Sequence, residues 1–498
     1  MLRVSLLFIF LAIVALFNCD ISIKDTEVLL VLSRIWEGAV NPDFSILTEP
    51  VIIKSIFNTL KFAILGTATG ALFGLLFAFF FEYKIIRYIA TFLRSIHELF
   101  WAILILNVFG ICEITAIISI AIPFSGIFAK VYSEIMEESD QKAIDAISPN
   151  ASTISRYVFG VLPISAKAII DYTKYRFECA LRSSAVLGFV GLPTIGYYLE
   201  IFFGEIHYSK AMVLLYLFIF IVATLRFWLK PKTFFACYII ALFSFSWQTK
   251  FSWEYVKGFI FDIIPAPLKK VDLMTGAQSV HWDFSKFWNW ASHIFTTEAW
   301  PGIVNTILIT QVTVVLTGLL TIMFFPFGSN RLANFPVRYS FRFIFIILRT
   351  IPEYIMTFIL IILMGPSMLP AILTISIHNG SILSHLCVGY SENVQTKIDS
   401  AKGKVNLFFF EILPSIYSQF LAFLFYRWEV MTRESAMLGY LGIQSIGFYI
   451  LLAKQNLKLD KAFFLIIISS GMVICIDLLS QIIRKKLQLN SSITTIEN

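Results

Sequence analysis

Two arginines inside apolar helices are the residues of this sequence best suited to chemistry. Arg182 and Arg433 each follow a glutamate, Glu178 and Glu429, by about one helical turn. Arginine keeps its charge at any working pH, and its planar guanidinium can donate two hydrogen bonds to one oxyanion. A charge near the centre of a bilayer costs roughly 2.5–3.5 kcal/mol, so a retained arginine should face a pathway or a partner.

The same four residues allow a simpler interpretation. Glu178 and Arg182, like Glu429 and Arg433, are spaced to form salt bridges along a helix near the membrane surface. The two interpretations are compatible, and the sequence leaves the choice open. On this pattern the residues predicted to line a substrate pathway are Arg176, Glu178, Arg182, Arg427, Glu429 and Arg433.

These arginines lie in a stretch that occurs twice. Residues 175–196 and 426–447 align without a gap, with about half of the positions identical. Each copy is a predicted helix that ends at a run of glycines. Glycine tolerates backbone angles that other residues resist, so these runs are predicted to act as hinges or gates. The glycines are Gly188, Gly191, Gly196, Gly439, Gly442 and Gly447.

The composition places these helices in a membrane. The chain has 498 residues, of which 58% are hydrophobic and 14% charged, and its mean hydropathy is +0.80. So much apolar surface predicts an all-α polytopic membrane protein. The net charge of +7 comes from short clusters between apolar runs, which set topology and do not favour nucleic-acid binding.

Two repeats of about six transmembrane helices each are predicted, residues 1–231 and 232–498. Even numbers of crossings give the repeats a parallel orientation, with both termini cytoplasmic. Each repeat has a long cytoplasmic loop, at about 134–163 and 389–414, and the second has an external insertion at about 249–300. The first apolar run is interpreted as an uncleaved helix, because it lacks a small-x-small cleavage site.

Several shorter sequence features predict helix packing, membrane topology or repetition between the two halves. Gly66, Gly70 and Gly74 recur at four-residue spacing, which permits close helix packing. Residues 20–57 are mixed polar and are predicted to form an external loop. Two further pairs of motifs recur between the repeats, Asn58-Thr59 with Asn305-Thr306 and Arg94-Ser-Ile-His-Glu98 with Arg349-Thr-Ile-Pro-Glu353.

Metal and nucleotide sites are not predicted. His378 and His385 are spaced to share a helix face, but no carboxylate accompanies them in sequence. The six cysteines lie singly, so neither a disulfide framework nor a metal site is expected. No Gly-x-x-x-x-Gly-Lys-Ser/Thr occurs, so the chain does not bind ATP by a P-loop. No cofactor is expected.

In both copies a loop that ends in Leu-Pro, at Leu162-Pro163 or Leu413-Pro414, precedes the repeated stretch in sequence. The residues shared by the two copies are Tyr-Arg-Phe/Trp-Glu, Arg, Ser-Ala, Leu-Gly and Ile-Gly. This pattern resembles the permease subunit of phosphonate ABC importers, one of the binding-protein-dependent permeases with an EAA loop. The likeness covers nearly the whole chain as two fused copies, and extends to Asn41-Pro-Asp-Phe-Ser-Ile-Leu47 and Gly126-Ile-Phe-Ala-Lys130.

The resemblance implies the type I ABC importer permease fold in a bacterial inner membrane, surrounded by lipid. It implies two ABC ATPase subunits and an extracytoplasmic substrate-binding protein as partners, so this chain would be a transport subunit and not an enzyme. In the family the EAA loop reads approximately Glu-Ala-Ala, three residues, then Gly. The matching coupling residues here are Asp145, Ala146, Asn150, Asp399, Ala401 and Gly403, with a shorter spacing to Leu-Pro in the second copy.

Other functions remain open at this point. Relatives of this family handle phosphite, phosphate and other small solutes, so the substrate is not fixed. An ion-coupled secondary transporter would also show two parallel halves, although it would not need paired Leu-Pro loops. A membrane enzyme would need a concentrated catalytic set at one interface, and the sequence contains none.

Overall fold

The computed structural model describes residues 1–24, 27–139, 152–246, 252–271, 278–394 and 403–487, which are mainly helical. They form two compact units. The first unit comes mainly from Ile35–Lys250, and the second from Met1–Arg34 with Phe251–Ser491. Helix α1 (Leu2–Asn18) belongs to the second unit, and α2 (Val28–Val40) contains the boundary between the units.

The first unit continues with ten helices among its described residues. They are α3 (Pro50–Phe79), α4 (Lys84–Ser95), α5 (Glu98–Phe109), α6 (Glu113–Glu137), α7 (Thr153–Arg156), α8 (Leu162–Val186), α9 (Ile195–Gly204), α10 (Tyr208–Ala223), α11 (Leu225–Trp228) and α12 (Pro231–Phe243). Short 3-10 helices at Phe44–Thr48 and Leu187–Val190 and a π-helical turn at Tyr157–Val161 connect them.

The second unit adds ten helices and one hairpin among its described residues. The helices are α13 (Trp253–Ile263), α14 (Phe284–Ile294), α15 (Trp300–Gly328), α16 (Phe335–Thr350), α17 (Glu353–Met364), α18 (Met368–Asn393), α19 (Lys404–Leu407), α20 (Leu413–Leu438), α21 (Ile446–Gln455) and α22 (Leu459–Lys486). Strands β1 (Lys269–Val271) and β2 (Gln278–Val280) pair antiparallel, with Lys270 opposite Ser279.

Six helical stretches in the described ranges are long and apolar enough to cross a membrane, or up to nine if each bent pair of helices is one span. The protein is therefore an all-α polytopic membrane protein, as predicted. The sequence prediction of about six spans per repeat also counted shorter apolar helices such as α1 and α10. The six stretches are Pro50–Phe79, Glu113–Glu137, Phe284–Gly328, Met368–Asn393, Lys404–Leu441 and Leu459–Lys486.

The two copies of the Arg-x-Ile-x-Glu motif each mark a sharp bend. Helices α4 and α5 meet at 93°, and α16 and α17 at 92°. In the first copy His97 caps α5, its Nδ1 accepting from the N–H of Leu99 at 3.2 Å. In the second copy Pro352 stands at the equivalent place, where proline favours an extended preceding residue and a new helix start.

The glycine series on α3 packs this helix closely against α6, as its spacing predicted. A Cβ added at Gly66 would lie 2.8 Å from the Cβ of Ile120, and one at Gly70 would lie 2.9 Å from the Cβ of Phe124. Real Cβ atoms do not approach so closely, so only glycine allows this distance between the helices.

Replacing Gly70 by leucine is therefore expected to separate α3 from α6. Overpacking typically costs about 1–3 kcal/mol, because neighbouring backbone must shift. Gly204→Leu is the matched control, since Gly204 has no atom within 4 Å of an added Cβ. The midpoint of thermal unfolding of the purified protein should fall for Gly70→Leu and stay near the parent value for Gly204→Leu. Equal midpoints for the two variants would show that the close contact is dispensable.

The segment at residues 20–57, predicted as an external loop, contains α2 and the start of α3, and its external location stays a prediction. The apolar run Val28-Leu-Leu-Val-Leu begins this helix, and Gly38 lies against Tyr208. An added Cβ at Gly38 would be 2.7 Å from the Cβ of Tyr208. Mixed charge hid this helix from the sequence interpretation.

Helix α1 packs within the second unit, against α15 and α20. Gln311 donates from Nε2 to the carbonyl oxygen of Phe8 at 3.1 Å, and the Phe8 ring meets Phe425 edge-on at 5.1 Å. The compact units therefore differ from the predicted repeats: α1 is the first helix of the predicted first repeat, whereas it packs with the second unit. The predicted boundary at residues 231 and 232 stays a prediction, because it is defined by sequence repetition and the units by packing.

The described residues of the predicted external insertion contact the start of α22. Asp460 accepts a hydrogen bond from the N–H of Ala266 at 2.7 Å, and Lys461 pairs with Glu298. Trp290 on α14 packs against Phe464, with ring centroids 5.2 Å apart. These contacts join α14 and the 3-10 turn at Ala266–Leu268 to one membrane helix.

Candidate functional site

The repeated polar stretches fold as predicted into long helices that end at glycine-containing turns. Helix α8 ends at a 3-10 turn closed by Gly191, and the turn after α20 is closed by Gly442. Their φ values of 93° and 89° lie in the left-handed region, which disfavours side chains with a Cβ. The turn then leads into α9 or α21.

A second glycine in each turn permits close backbone approach. A Cβ at Gly188 would collide with the backbone of Tyr197 and Gly196, and a Cβ at Gly439 would collide with the backbone of Phe448. These positions explain why the turn needs glycine. The predicted role of the whole glycine run as a hinge stays a prediction.

The recurring Asn-Thr pairs hold these turns in place. In each unit the Asn side chain donates to a carbonyl in the turn, and the Thr hydroxyl accepts from the first N–H of the next helix. The bonds are Asn58 to Pro193 at 3.0 Å, Ile195 to Thr59 at 2.9 Å, Asn305 to Gln444 at 2.7 Å and Ile446 to Thr306 at 3.1 Å. The same local structure therefore occurs in both units, so residues at equivalent sequence positions lie in equivalent places around these turns.

Arg176 in the first unit lies on an aromatic ring. Its guanidinium carbon is 4.6 Å from the ring centroid of Phe124. Its Nε is buried and has no hydrogen-bond partner in the part of the chain that the structure describes. Glu98 acts on it electrostatically, but the Glu98 carboxylate accepts from Ser183 Oγ at 3.1 Å and lies 3.2 Å from His97 Nε2.

Arg427, at the equivalent place in the second unit, is held by two polar side chains. Its Nε donates to Asn379 Oδ1 at 2.7 Å, and its Nη2 lies 3.8 Å from Glu434 Oε1. Asn379 in turn donates from Nδ2 to Glu434 Oε2 at 3.0 Å. Asn379 is fully buried and Glu434 is 7% exposed. We call these three residues the Arg427 network.

A buried histidine borders this network. His378 lies 2.7 Å from Glu353 through Nε2 and 3.2 Å from the carbonyl oxygen of Leu348 through Nδ1. A carbonyl oxygen only accepts, so Nδ1 is the donor in the contact with Leu348, and Nε2 faces the Glu353 carboxyl group. The sequence interpretation missed the His378–Glu353 pair because Glu353 comes from a different helix.

The predicted pathway residues all lie in α8 and α20. Glu429 is buried, and the other five are half-buried. Arg182 donates from Nη2 to Cys179 Sγ at 3.3 Å. Whether Arg182 and Arg433 face a pathway or serve as structural partners stays open, and their assignment remains a prediction.

The predicted coupling residues fall mostly outside the described ranges. Asp145, Ala146, Asn150, Asp399 and Ala401 are among them. Gly403 is described and stands just before α19 with a φ of 93°. Among the described residues no group of three or more His, Cys, Asp and Glu could hold a metal ion.

Comparison with known proteins relates part of the chain to a family. Residues 321–489 match the model of the family described as binding-protein-dependent transport system inner membrane component. The match lies within the second unit. The matched residues contain the whole Arg427 network and the His378–Glu353 pair. No solved structure matches the chain.

Several curated proteins are similar to this chain. The phosphate-import permease protein PhnE of Mycolicibacterium smegmatis is 22% identical over 475 residues, 86% of this chain and 84% of that protein. The phosphite transport system permease protein PtxC of Stutzerimonas stutzeri is 27% identical over 169 residues, 32% of this chain and 61% of that protein. The putative cryptic phosphonate transport system permease protein PhnE2 of Escherichia coli K12 is 34% identical over 73 residues, 14% of this chain and 60% of that protein.

Proposed function

We propose that this protein is the transmembrane permease of an ATP-driven importer for phosphonate or a related small phosphorus oxyanion, phosphate and phosphite included. The observation that carries the proposal is the match of residues 321–489 to the binding-protein-dependent transport family, which agrees with the names of the similar phosphate, phosphite and phosphonate permeases. The arginines repeated in α8 and α20 suit such a substrate, because a guanidinium fork matches the oxygens of a phosphorus oxyanion.

The proposed mechanism is alternating access. Arg182 of α8 and Arg433 of α20 meet the anion in the pathway, and Glu178 and Glu429, one turn before them, lower the cost of placing these charges in the membrane. The glycine turns at Gly191 and Gly442 let the ends of the helices reorient between inward-open and outward-open states. This part of the proposal rests on the repeated sequence and on the backbone of the turns.

The proposed assembly contains two ABC ATPase subunits and an extracytoplasmic substrate-binding protein. One chain supplies both permease halves, which is supported by the recurrence of the Asn-Thr hydrogen bonds in both units. ATP is hydrolysed by the partner subunits, since this sequence has no P-loop motif. We place the complex in a bacterial inner membrane with both termini cytoplasmic.

Competition for uptake in cells tests the substrate class. Cells lacking this protein and cells carrying it are given radiolabelled phosphate, phosphite or methylphosphonate in turn. Uptake that depends on the protein should be suppressed by excess unlabelled phosphorus oxyanions and not by sulfate. If none of the three labelled compounds enters in a protein-dependent way, the proposed substrate class is wrong.

Residues at about 143–152 and 397–405 are proposed as the coupling segments that dock on the ATPase subunits. A short docked helix can bias a membrane equilibrium from a distant nucleotide site. Ala146→Trp and Ala401→Trp are expected to lower recovery of the ATPase with the tagged permease by about tenfold, the effect of about 1.4 kcal/mol of lost binding. Gly204→Ala serves as control. Normal ATPase recovery and normal uptake in both tryptophan variants would remove the coupling assignment.

A further inference from the structure

The two arginines at equivalent positions of α8 and α20 differ in what surrounds them. Phe124 and Asn379 occupy equivalent places in α6 and α18, and Ser183 and Glu434 occupy equivalent places in the repeated stretch. The first unit thus has an aromatic ring and a hydroxyl where the second has an amide and a carboxylate. Because the helices and turns around them repeat, this difference comes from side chains.

In the second unit the guanidinium is already engaged. Arg427 donates from Nε to Asn379, and Glu434 lies beside its Nη2. An anion that approached this side of Arg427 would meet a buried carboxylate and would have to displace it. Removing one partner of such a pair leaves an uncompensated charge, which resists displacement.

In the first unit the guanidinium keeps a buried donor without an acceptor. Phe124 covers one face of the Arg176 guanidinium, and an aromatic ring on that face fixes the plane without using the N–H groups at its edge. No described residue accepts a hydrogen bond from the buried Nε of Arg176. Buried donors without an acceptor are costly, so water or a ligand must accept from this one.

We propose that, of this equivalent pair, Arg176 binds the substrate oxyanion, whereas Arg427 is a structural residue neutralised within the Arg427 network. This inference rests on the proposed function, because it takes a small phosphorus oxyanion as the ligand. It makes the two halves unequal, since the first unit supplies a binding guanidinium and the second uses its equivalent arginine to hold its own helices together. It also makes Phe124 a positioning residue that keeps the Arg176 fork in one plane.

The test compares uptake kinetics of radiolabelled methylphosphonate, or of phosphate or phosphite if the parent prefers it. Arg176→Gln removes the guanidinium of Arg176. The double variant Arg427→Gln/Glu434→Gln removes both charges of the Arg427 network together. Arg176→Gln should lower uptake by at least about tenfold at equal amounts of assembled complex. The double variant should lower it by much less. If Arg176→Gln takes up substrate normally, or if the double variant loses as much uptake or more, the assignment is overturned.

Phe124→Asn gives a second, independent result if Arg176→Gln does not accumulate in the membrane. The substitution places an amide beside Arg176, as Asn379 is placed beside Arg427 in the second unit, where its oxygen accepts a hydrogen bond from the guanidinium. The apparent KM should rise by several-fold with the maximal rate less affected, because the amide competes with the substrate for the fork. An unchanged KM would contradict the proposal. In either case uptake by the parent protein tests the proposed function separately, since that uptake does not depend on which arginine binds.

Discussion

Arg182→Gln and Arg433→Gln are each expected to lower substrate uptake by about ten- to a hundredfold. Charge-assisted hydrogen bonds contribute about 1.5–3 kcal/mol, and each 1.4 kcal/mol or so changes an equilibrium tenfold. Glutamine keeps a similar length and polarity but loses the charge and the fork. Uptake of labelled phosphonate or phosphate, measured beside ATPase activity of the same complex, reports the effect.

Lysine at the same two positions separates charge from geometry. Arg182→Lys and Arg433→Lys keep the positive charge but not the planar fork. They should retain part of the uptake that the glutamine variants lose. Normal uptake in both glutamine variants would show that these arginines are only structural ion-pair partners of Glu178 and Glu429.

Glu434→Ala is expected to destabilise the second unit by about 3–5 kcal/mol, the usual effect of removing one partner from a buried ion pair. The substitution leaves the Arg427 charge without its carboxylate and removes one hydrogen-bond acceptor of Asn379. The midpoint of thermal unfolding of the purified complex, and its yield from membranes, should both fall.

The double variant Arg427→Leu/Glu434→Leu is the matched control for this loss. It removes both charges and replaces them with apolar side chains, which is often neutral or stabilising for a buried pair. Asn379 keeps its bond to the carbonyl oxygen of Ile375 at 2.9 Å. If Glu434→Ala is as stable as the parent, or if the double variant is no more stable than Glu434→Ala, the Arg427 network is not held together by this charge pair.

The sequence predicted those parts of the fold that depend on residues close together in the chain. The glycine spacing on α3 predicted close helix packing, and the contacts of Gly66 and Gly70 confirm it. The repeated stretch predicted helices ending at glycine turns, which the left-handed Gly191 and Gly442 confirm. Helix periodicity and glycine conformation are local properties, so one sequence is enough to recognise them.

Which polar side chains of different helices meet could not be predicted in this way. His378 was set aside because no carboxylate lies near it in sequence, yet Glu353 reaches it from a neighbouring helix. The contrast between Arg176 and Arg427 likewise depends on Phe124 and Asn379, which lie in a helix preceding each arginine by many residues. Repetition of the Arg-x-Glu pattern made the halves look alike, whereas the surrounding side chains make them differ.

The bends and the N-terminal helices show a second limit of the sequence. Composition does not show the 93° bend between α4 and α5. Mixed charge at residues 20–57 suggested a loop, although α2 lies there. Composition predicts whether a segment favours the membrane, but the direction of each helix axis is set by the residues that cap the helix and by the helices that pack against it.

The most direct test of an ATP-driven permease is uptake by the purified complex in lipid vesicles. The complex, isolated with its ATPase subunits, is reconstituted with labelled phosphorus oxyanion and the binding protein on one side and ATP on the other. We predict uptake that requires ATP on the side of the ATPase subunits and persists when ion gradients are collapsed. Uptake that continues without ATP and stops when the ion gradient is collapsed would contradict this prediction, and would identify an ion-coupled transporter instead.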